Sequence, residues 1–249
     1  MGDFVVDGAR ANTGRIIVGG PGPASPTFDF IGINSVSQFT SDNATTLSPV
    51  AGLAGDLLVA YGSTGTFNFQ GGGTGTNFST IRGEWKIATN LSNDTINVVA
   101  NPGEGSVVHV ARFRPKGPGT VTNVGANTRF LASNTQTGLA SLPDQSGLYT
   151  DTLDVVGTVR GQNSGYNPPT DNEGTDATTF AASQYIFGAG GDAAFDDTAV
   201  FPSIAWRLTA IGYQFSPVAN ARPAENLTVL NPTGINCGTA SVAYRFAII

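Results

Sequence analysis

Apolar and polar positions alternate along this chain with the two-residue period of extended strands, and helical spacing is rare. In residues 106–114, Val107, His109, Ala111 and Phe113 share one side, while Val108, Val110, Arg112 and Arg114 share the other, as successive side chains of a strand do. Residues 81–89 alternate likewise, with Trp85 and Ile87 opposite Glu84 and Lys86. The compact apolar run at 55–61 follows a Gly-rich approach and predicts a buried strand. Further strands are expected over 28–39, 95–99, 152–160, 203–215 and 239–249. In 203–215 the apolar side switches between Leu208 and Ile211, which predicts a bend or bulge near Gly212. The last run places Val242, Tyr244, Phe246 and Ile248 on one side and reads as a paired, buried strand.

Between these runs lie stretches rich in Gly, Asn, Thr, Ser and Pro, at 62–80, 115–148 and 161–179. Loops of such length usually bind something or pack on a partner. Only 139–147 and 176–185 are suited to a helical turn. No repeat of fixed period is visible. Residues 1–27, with Gly19-Gly20-Pro21-Gly22-Pro23, read as an N-terminal arm or lead-in, and 28–249 as a single β-sandwich domain. The predicted fold class is all-β: a jelly-roll-like antiparallel β-sandwich with long polar loops and an extended N-terminal arm.

Composition narrows the function classes. Charged residues are 12% of the 249, about half the usual share of roughly 25%. Two Lys and four Glu are too few for a coiled coil. The single Cys excludes a disulfide scaffold. A net charge of −6 with scattered arginines argues against nucleic acid as a partner, because phosphate binding needs clustered cations. No apolar run reaches the roughly 18 residues of a membrane span. No basic segment precedes an apolar stretch near the N-terminus, so Sec-type export is not expected.

The catalytic inventory is thin. His109 is the only histidine, so any Ser–His or Cys–His arrangement needs it; mid-strand, it reads as a core or subunit-contact residue. Cys237 lies in a turn with no histidine nearby in sequence, and a zinc site cannot be assembled from one Cys and one His. Glu84, beside Trp85, resembles a sugar-binding arrangement in outline, although surface charges flanking a core Trp give the same pattern. Gly71-Gly72-Gly73-Thr74-Gly75-Thr76 lacks the Lys-Ser/Thr ending of a phosphate loop. Asp192, Asp196 and Asp197 could hold a cation, or simply form a Gly/Asp turn. No catalytic, cofactor-binding or metal-ligating residue is therefore expected. The candidate ligand or interface residues are the aromatics Tyr61, Trp85, Tyr149, Tyr166 and Tyr185, whose ring faces could stack on sugars or on a neighbouring subunit.

The word Gly55-Asp56-Leu57-Leu58-Val59-Ala60 resembles the opening strand of bacteriophage virion-associated β-sandwich proteins of minor-tail, fibre and decoration type. Glu84-Trp85-Lys86-Ile87-Ala88 and Val107–Arg114 then occupy the places of that family's Trp-bearing strand and its alternating, Arg-ending strand. The second half follows the same order with 153–160, 204–213 and 240–249. The family's Pro-Ser-Gly-Trp word is missing here. The resemblance implies a non-enzymatic structural protein, assembled with copies of itself and other virion proteins in the bacterial host cytoplasm. It implies no cofactor, and a host surface glycan is the alternative partner.

Overall fold

The computed structural model describes residues 27–38, 45–63, 66–79, 81–89, 91–99, 106–132, 139–142, 148–162, 180–181, 186–187, 206–216, 219, 221, 225–229 and 238–249. Of these, 71% lie in strands and 2% in helix, and the sheets are antiparallel. Of the expected N-terminal arm only Thr27 is described, and of the loop expected at 161–179 only residues 161–162, which end β11; the rest of both lies outside the described residues.

The first half contributes β1 (Phe28–Gln38), β2 (Thr45–Leu47), β3 (Leu57–Ser63), β4 (Thr66–Phe69), β5 (Thr74–Phe78), β6 (Ile81–Ile87), a single helical turn α1 (Leu91–Asp94), β7 (Ile96–Val99) and β8 (Ser106–Pro115). The second contributes β9 (Val121–Ala132), β10 (Leu139–Leu142), β11 (Thr152–Gln162), β12 (Phe180–Ala181), β13 (Ile186–Phe187), β14 (Trp206–Ser216), β15 (Glu225–Val229) and β16 (Gly238–Ile248). Among the described residues these form four sheets, ordered β1-β8-β3-β6-β5, β2-β7-β4, β13-β14-β11-β16-β9 and β10-β15-β12.

These orders are one plan written twice. Adding eight to each strand number of the first half turns its two sheets into the two sheets of the second, pairing for pairing. The register repeats as well. Leu57 lies between Phe113 and Ile87, and Leu153 between Phe246 and Phe215. A β-bulge interrupts β1 between Phe30 and Gly32, opposite Phe113 and Arg112. Its counterpart interrupts β9 between Asn123 and Gly125, opposite Phe246 and Arg245. Two residues ahead of Leu57 and Leu153, Gly55 and Asp151 both take positive φ, +90° and +50°. That conformation is natural for Gly and tolerated by Asp.

The two halves meet through their five-stranded sheets. Phe28, Leu57, Val59, Tyr61, Ala111 and Phe113 from one, with Leu153, Val155, Ile211, Val242, Tyr244 and Phe246 from the other, form one buried core. The ring contacts repeat about a pseudo-two-fold axis. Trp85 meets Phe246 edge-on at 5.4 Å and 76°, while their counterparts Tyr213 and Phe113 meet at 5.4 Å and 71°. Thus β6 lies over β16, β8 over β14, and β3 over β11, with the axis running along β3 and β11. On such an axis a residue faces its own counterpart, and two bulky side chains cannot share that space. The counterpart of Tyr61 is Gly157, where an added Cβ would sit 2.1 Å from Tyr61 Cγ. The tyrosine fills the hollow, donates its hydroxyl to the Val155 carbonyl at 2.7 Å and stacks on Tyr244 at 5.7 Å.

A second core forms on the other face of the first large sheet, where Leu58, Ala60, Val108 and Val110 pack against Leu47, Phe67, Phe69, Ile96 and Val98 of the β2-β7-β4 sheet. That sheet is therefore covered on both faces.

Several sequence expectations are corrected. The stretch 62–80 holds β4 and β5, and 115–148 holds β9 and β10, so neither is a loop. The turn expected helical at 139–147 begins with strand β10, and Phe180–Ala181, within 176–185, is strand β12. β14 pairs with β11 without a register shift through Gly212; the bulges lie in β1 and β9 instead. Glu84 and Lys86, expected on the surface, are 2% and 8% exposed, because the β2-β7-β4 layer covers their side. The two five-stranded sheets of 28–249 share one apolar face.

Tyr61 and Gly157 supply a test of the shared face. Gly157→Ala is expected to cost about 2–3 kcal/mol by forcing the ring out of its place, read as a lower urea midpoint. Tyr61→Phe, which removes the hydroxyl's bond to the Val155 carbonyl, should cost about 1 kcal/mol.

Candidate functional site

The five candidate aromatics do not converge. Tyr61 is 1% exposed and belongs to the core, so it offers no face to a ligand. Trp85 is half-buried against the same core with its edge on Phe246. Tyr149 is exposed, next to Leu148, in the segment that leads into β11. Tyr166 and Tyr185 lie outside the described residues, as do Asp192, Asp196, Asp197 and Cys237. Tyr213 and Phe30, which sequence reasoning did not single out, stack at 4.6 Å beside Phe113. Tyr213 was findable only as the counterpart of Trp85, which requires the register.

His109 is 1% exposed on β8, between Ser35 of β1 and Tyr61 of β3. Glu84 is committed to structure: one carboxylate oxygen accepts the Phe69 N–H at 3.3 Å and the other accepts from Arg82 Nη2 at 3.2 Å. The Gly71–Gly73 stretch closes over this region, since a Cβ on Gly73 would lie 2.4 Å from Glu84 Oε1. Lys86 Nζ reaches Asp94 Oδ1 at 3.3 Å, donates to the Asn93 carbonyl at 2.9 Å and lies 5.8 Å from the Phe69 ring centroid. Among the described residues no group of three or more His, Cys, Asp or Glu is placed to hold a metal ion, and no helix is long and apolar enough to cross a membrane.

The most concentrated polar chemistry is a pair of buried arginine sites at counterpart positions. In the second half, Arg245 Nε and Nη2 donate to the two oxygens of Asp154 at 2.6 and 2.8 Å, and both side chains are wholly buried. In the first half, Arg112 donates to Asp56 at 3.1 Å, Arg114 adds two bonds at 3.0 and 3.1 Å, and the Leu53 N–H adds another at 2.8 Å. The arginine is kept and the aspartate has moved two positions along the strand: Asp154 is the counterpart of Leu58, and Asp56 of Thr152. Burial alone pushes the Asp56 carboxyl up, but the hydrogen bonds from Arg114, Leu53 and Arg112 outweigh it and hold the group below its ordinary value. The Arg245–Asp154 and Arg114–Asp56 pairs are bidentate, which adds geometric specificity to the bond.

Both sites sit toward the same end of the molecule. There β1, β3, β9 and β11 begin and β8 and β16 finish. Lys116 N–H donates to the Thr27 carbonyl, Thr27 Oγ1 to the Asp151 carbonyl, and Thr120 and Ile249 exchange both backbone hydrogen bonds. Leu53 and Tyr149, four positions ahead of Leu57 and Leu153, are exposed at this end.

Searches for a matching family model, curated protein or solved structure found none.

Two outcomes follow for the arginine sites. Arg245→Met takes two charge-assisted hydrogen bonds from the buried Asp154 carboxylate and is expected to cost about 3–5 kcal/mol, while Arg245→Met with Asp154→Leu recovers most of that loss, both by denaturant titration. Because Asp56 titrates lower in the folded chain than in the unfolded one, its contribution is full above pH 3.8 and is lost as pH falls through the folded value. Asp56→Asn should therefore lower the midpoint near neutral pH and flatten its fall below about pH 4.

Proposed function

We propose that this chain is a non-enzymatic structural protein of a bacteriophage virion, assembled with copies of itself as a symmetric oligomer on the particle exterior. The observation that carries the reading is the strand plan: five strands ordered β1-β8-β3-β6-β5 face three ordered β2-β7-β4, and the plan occurs twice. We read this eight-stranded double-sheet body as jelly-roll-like, the architecture used by viral capsid and lectin domains. The Gly55–Ala60 word opens β3, the strand on the axis between the halves, and the Trp-bearing and Arg-bearing strands of the resemblance are its neighbours β6 and β8. The buried charges among the described residues are committed to ion pairs within the fold, as suits a building block whose work is done by its surface.

Glycan binding by the same particle component is the second reading. It draws on the exposed Tyr149 and on the uncharged row Thr46, Asn97 and Asn68, aligned across β2, β7 and β4 with Gln70 bonded to Asn97. Amide and hydroxyl groups on a flat sheet can meet sugar hydroxyls.

Immunogold labelling of purified particles tests the first reading: regular label on the exterior is expected, and particles that lack the protein would discard it. A glycan array with the purified chain separates the second; reducing ends released from host polysaccharide would point to an enzyme and overturn both.

A further inference from the structure

Every strand up to Pro115 belongs to the first half and every strand from Val121 onward to the second, so one connection, residues 116–120, joins them. Each end of it is anchored to its own half. The Lys116 N–H donates to the Thr27 carbonyl at 2.7 Å, beside β1, and Thr120 exchanges two backbone bonds with Ile249, beside β16. Between these anchors Gly117-Pro118-Gly119 is exposed, and no described residue hydrogen-bonds to it. Its glycines take φ of +139° and +130°, which side-chain-bearing residues rarely adopt. The path is long for so few residues. β8 lies over β14 and β9 lies beyond β16, so the chain moves three strand spacings sideways and one sheet gap across. At about 4.8 Å per strand and about 10 Å between sheets, that is roughly 17 Å. The stretch from Pro115 to Val121 spans about 20 Å when fully extended, so closure within one chain uses most of its slack.

We propose that two copies of this chain pair by exchanging halves about Gly117-Pro118-Gly119, the first half of each closing on the second half of the other. The inference rests on the reading of the protein as one that works by self-assembly. Shape identifies the partner. The first half presents the Tyr61 ring, and the hollow that receives it is made by Gly157, with the Val155 carbonyl as acceptor. A second copy carries that same hollow, so exchange remakes the buried core of Val59, Tyr61, Phe113, Val155, Tyr244 and Phe246 unchanged. The contacts across the face are then the same in both arrangements, and the balance falls to the connection and the chain concentration. When closed, the connection is near its limit; when exchanged, it is free to straighten. Short hinges under tension favour exchange, which yields a two-fold dimer without any new surface.

Sedimentation velocity of the intact chain, refolded from urea at rising concentration, tests this. The expected result is a dimer whose share grows with concentration and persists on dilution, because separation requires opening the shared core. Removing Gly117 and Pro118 cuts the reach to about 14 Å and should raise the dimer share about tenfold or more at equal concentration. Inserting about six Gly and Ser residues should lower it to a similar degree. An intact chain that is monomeric at every concentration overturns the proposal, as does a shortened chain that folds and stays monomeric. A dimer whose share ignores both changes overturns it too. The partner is read by refolding Gly157→Tyr together with Tyr61→Gly. Alone, the first sets ring against ring and the second leaves a void; exchanged, one pairing is native and the other is its mirror. A heterodimer with a urea midpoint above that of either chain alone is expected. Its absence overturns the proposal even where the shortened chain fails to fold. The two readings fail separately: labelled particles with no exchanged pair remove only this arrangement, and an exchanged pair absent from particles removes only the virion role.

Discussion

The structure depends on the contact between two five-stranded sheets. Each sheet is hydrophobic toward the other, and the first also carries the β2-β7-β4 layer on its far face. A sheet covered on both sides has no solvent face for its polar residues. This explains why a chain with few charges buries so many of them: Asp56, Glu84, Lys86, Asp94, Arg112, Asp154 and Arg245 are all inside. Glu84, Lys86, Arg112, Asp154 and Arg245 sit at strand positions whose alternation points away from the shared core, Asp56 just ahead of β3 and Asp94 in α1, and each is held by an ion pair. Burying a charge is tolerable only with such partners.

The pairs also say something about the two halves. The arginine at positions 112 and 245 is common to both, but its carboxylate comes from the residue before the first strand leucine in one half and the residue after it in the other. What is preserved is a cation near the bulge of the edge strand, with an acid in reach. The route to the acid differs. The same holds for Trp85 and Tyr213, which keep an aromatic edge contact while exchanging the ring type.

Much of the fold was legible from alternation alone. The strands β1, β3, β6, β8, β11, β14 and β16 carry β-branched and apolar residues at period two, and the sequence reading found each of them. What it missed has physical causes. β9 reads Val-Thr-Asn-Val-Gly-Ala-Asn-Thr-Arg-Phe-Leu-Ala; as a sheet edge with a bulge, it needs little apolar content to pair. β4 and β5 are short and contain Asn, Thr and Gly, the composition of loops. Glu84 and Lys86 looked solvent-facing because a covering layer cannot be inferred from the strand it covers. The repeat escaped notice because its offset drifts. It is 93 residues between Gly32 and Gly125, 96 between Leu57 and Leu153, and 133 between Arg112 and Arg245. The aromatic candidates were the least legible: Tyr61 falls inside the molecule, and only side-chain packing could separate it from Tyr149.

The tyrosine set against a glycine on the axis has a consequence for the ancestry and the engineering of the chain. Two copies of the first half, brought together in the same way, would drive ring against ring; two copies of the second would leave a void between bare backbones. Covalent linkage is what permits such an unequal match, since only a tethered pair guarantees that a knob always meets a socket. The halves have become lock and key for one another, and neither can be replaced by a duplicate of its sibling without recutting that joint.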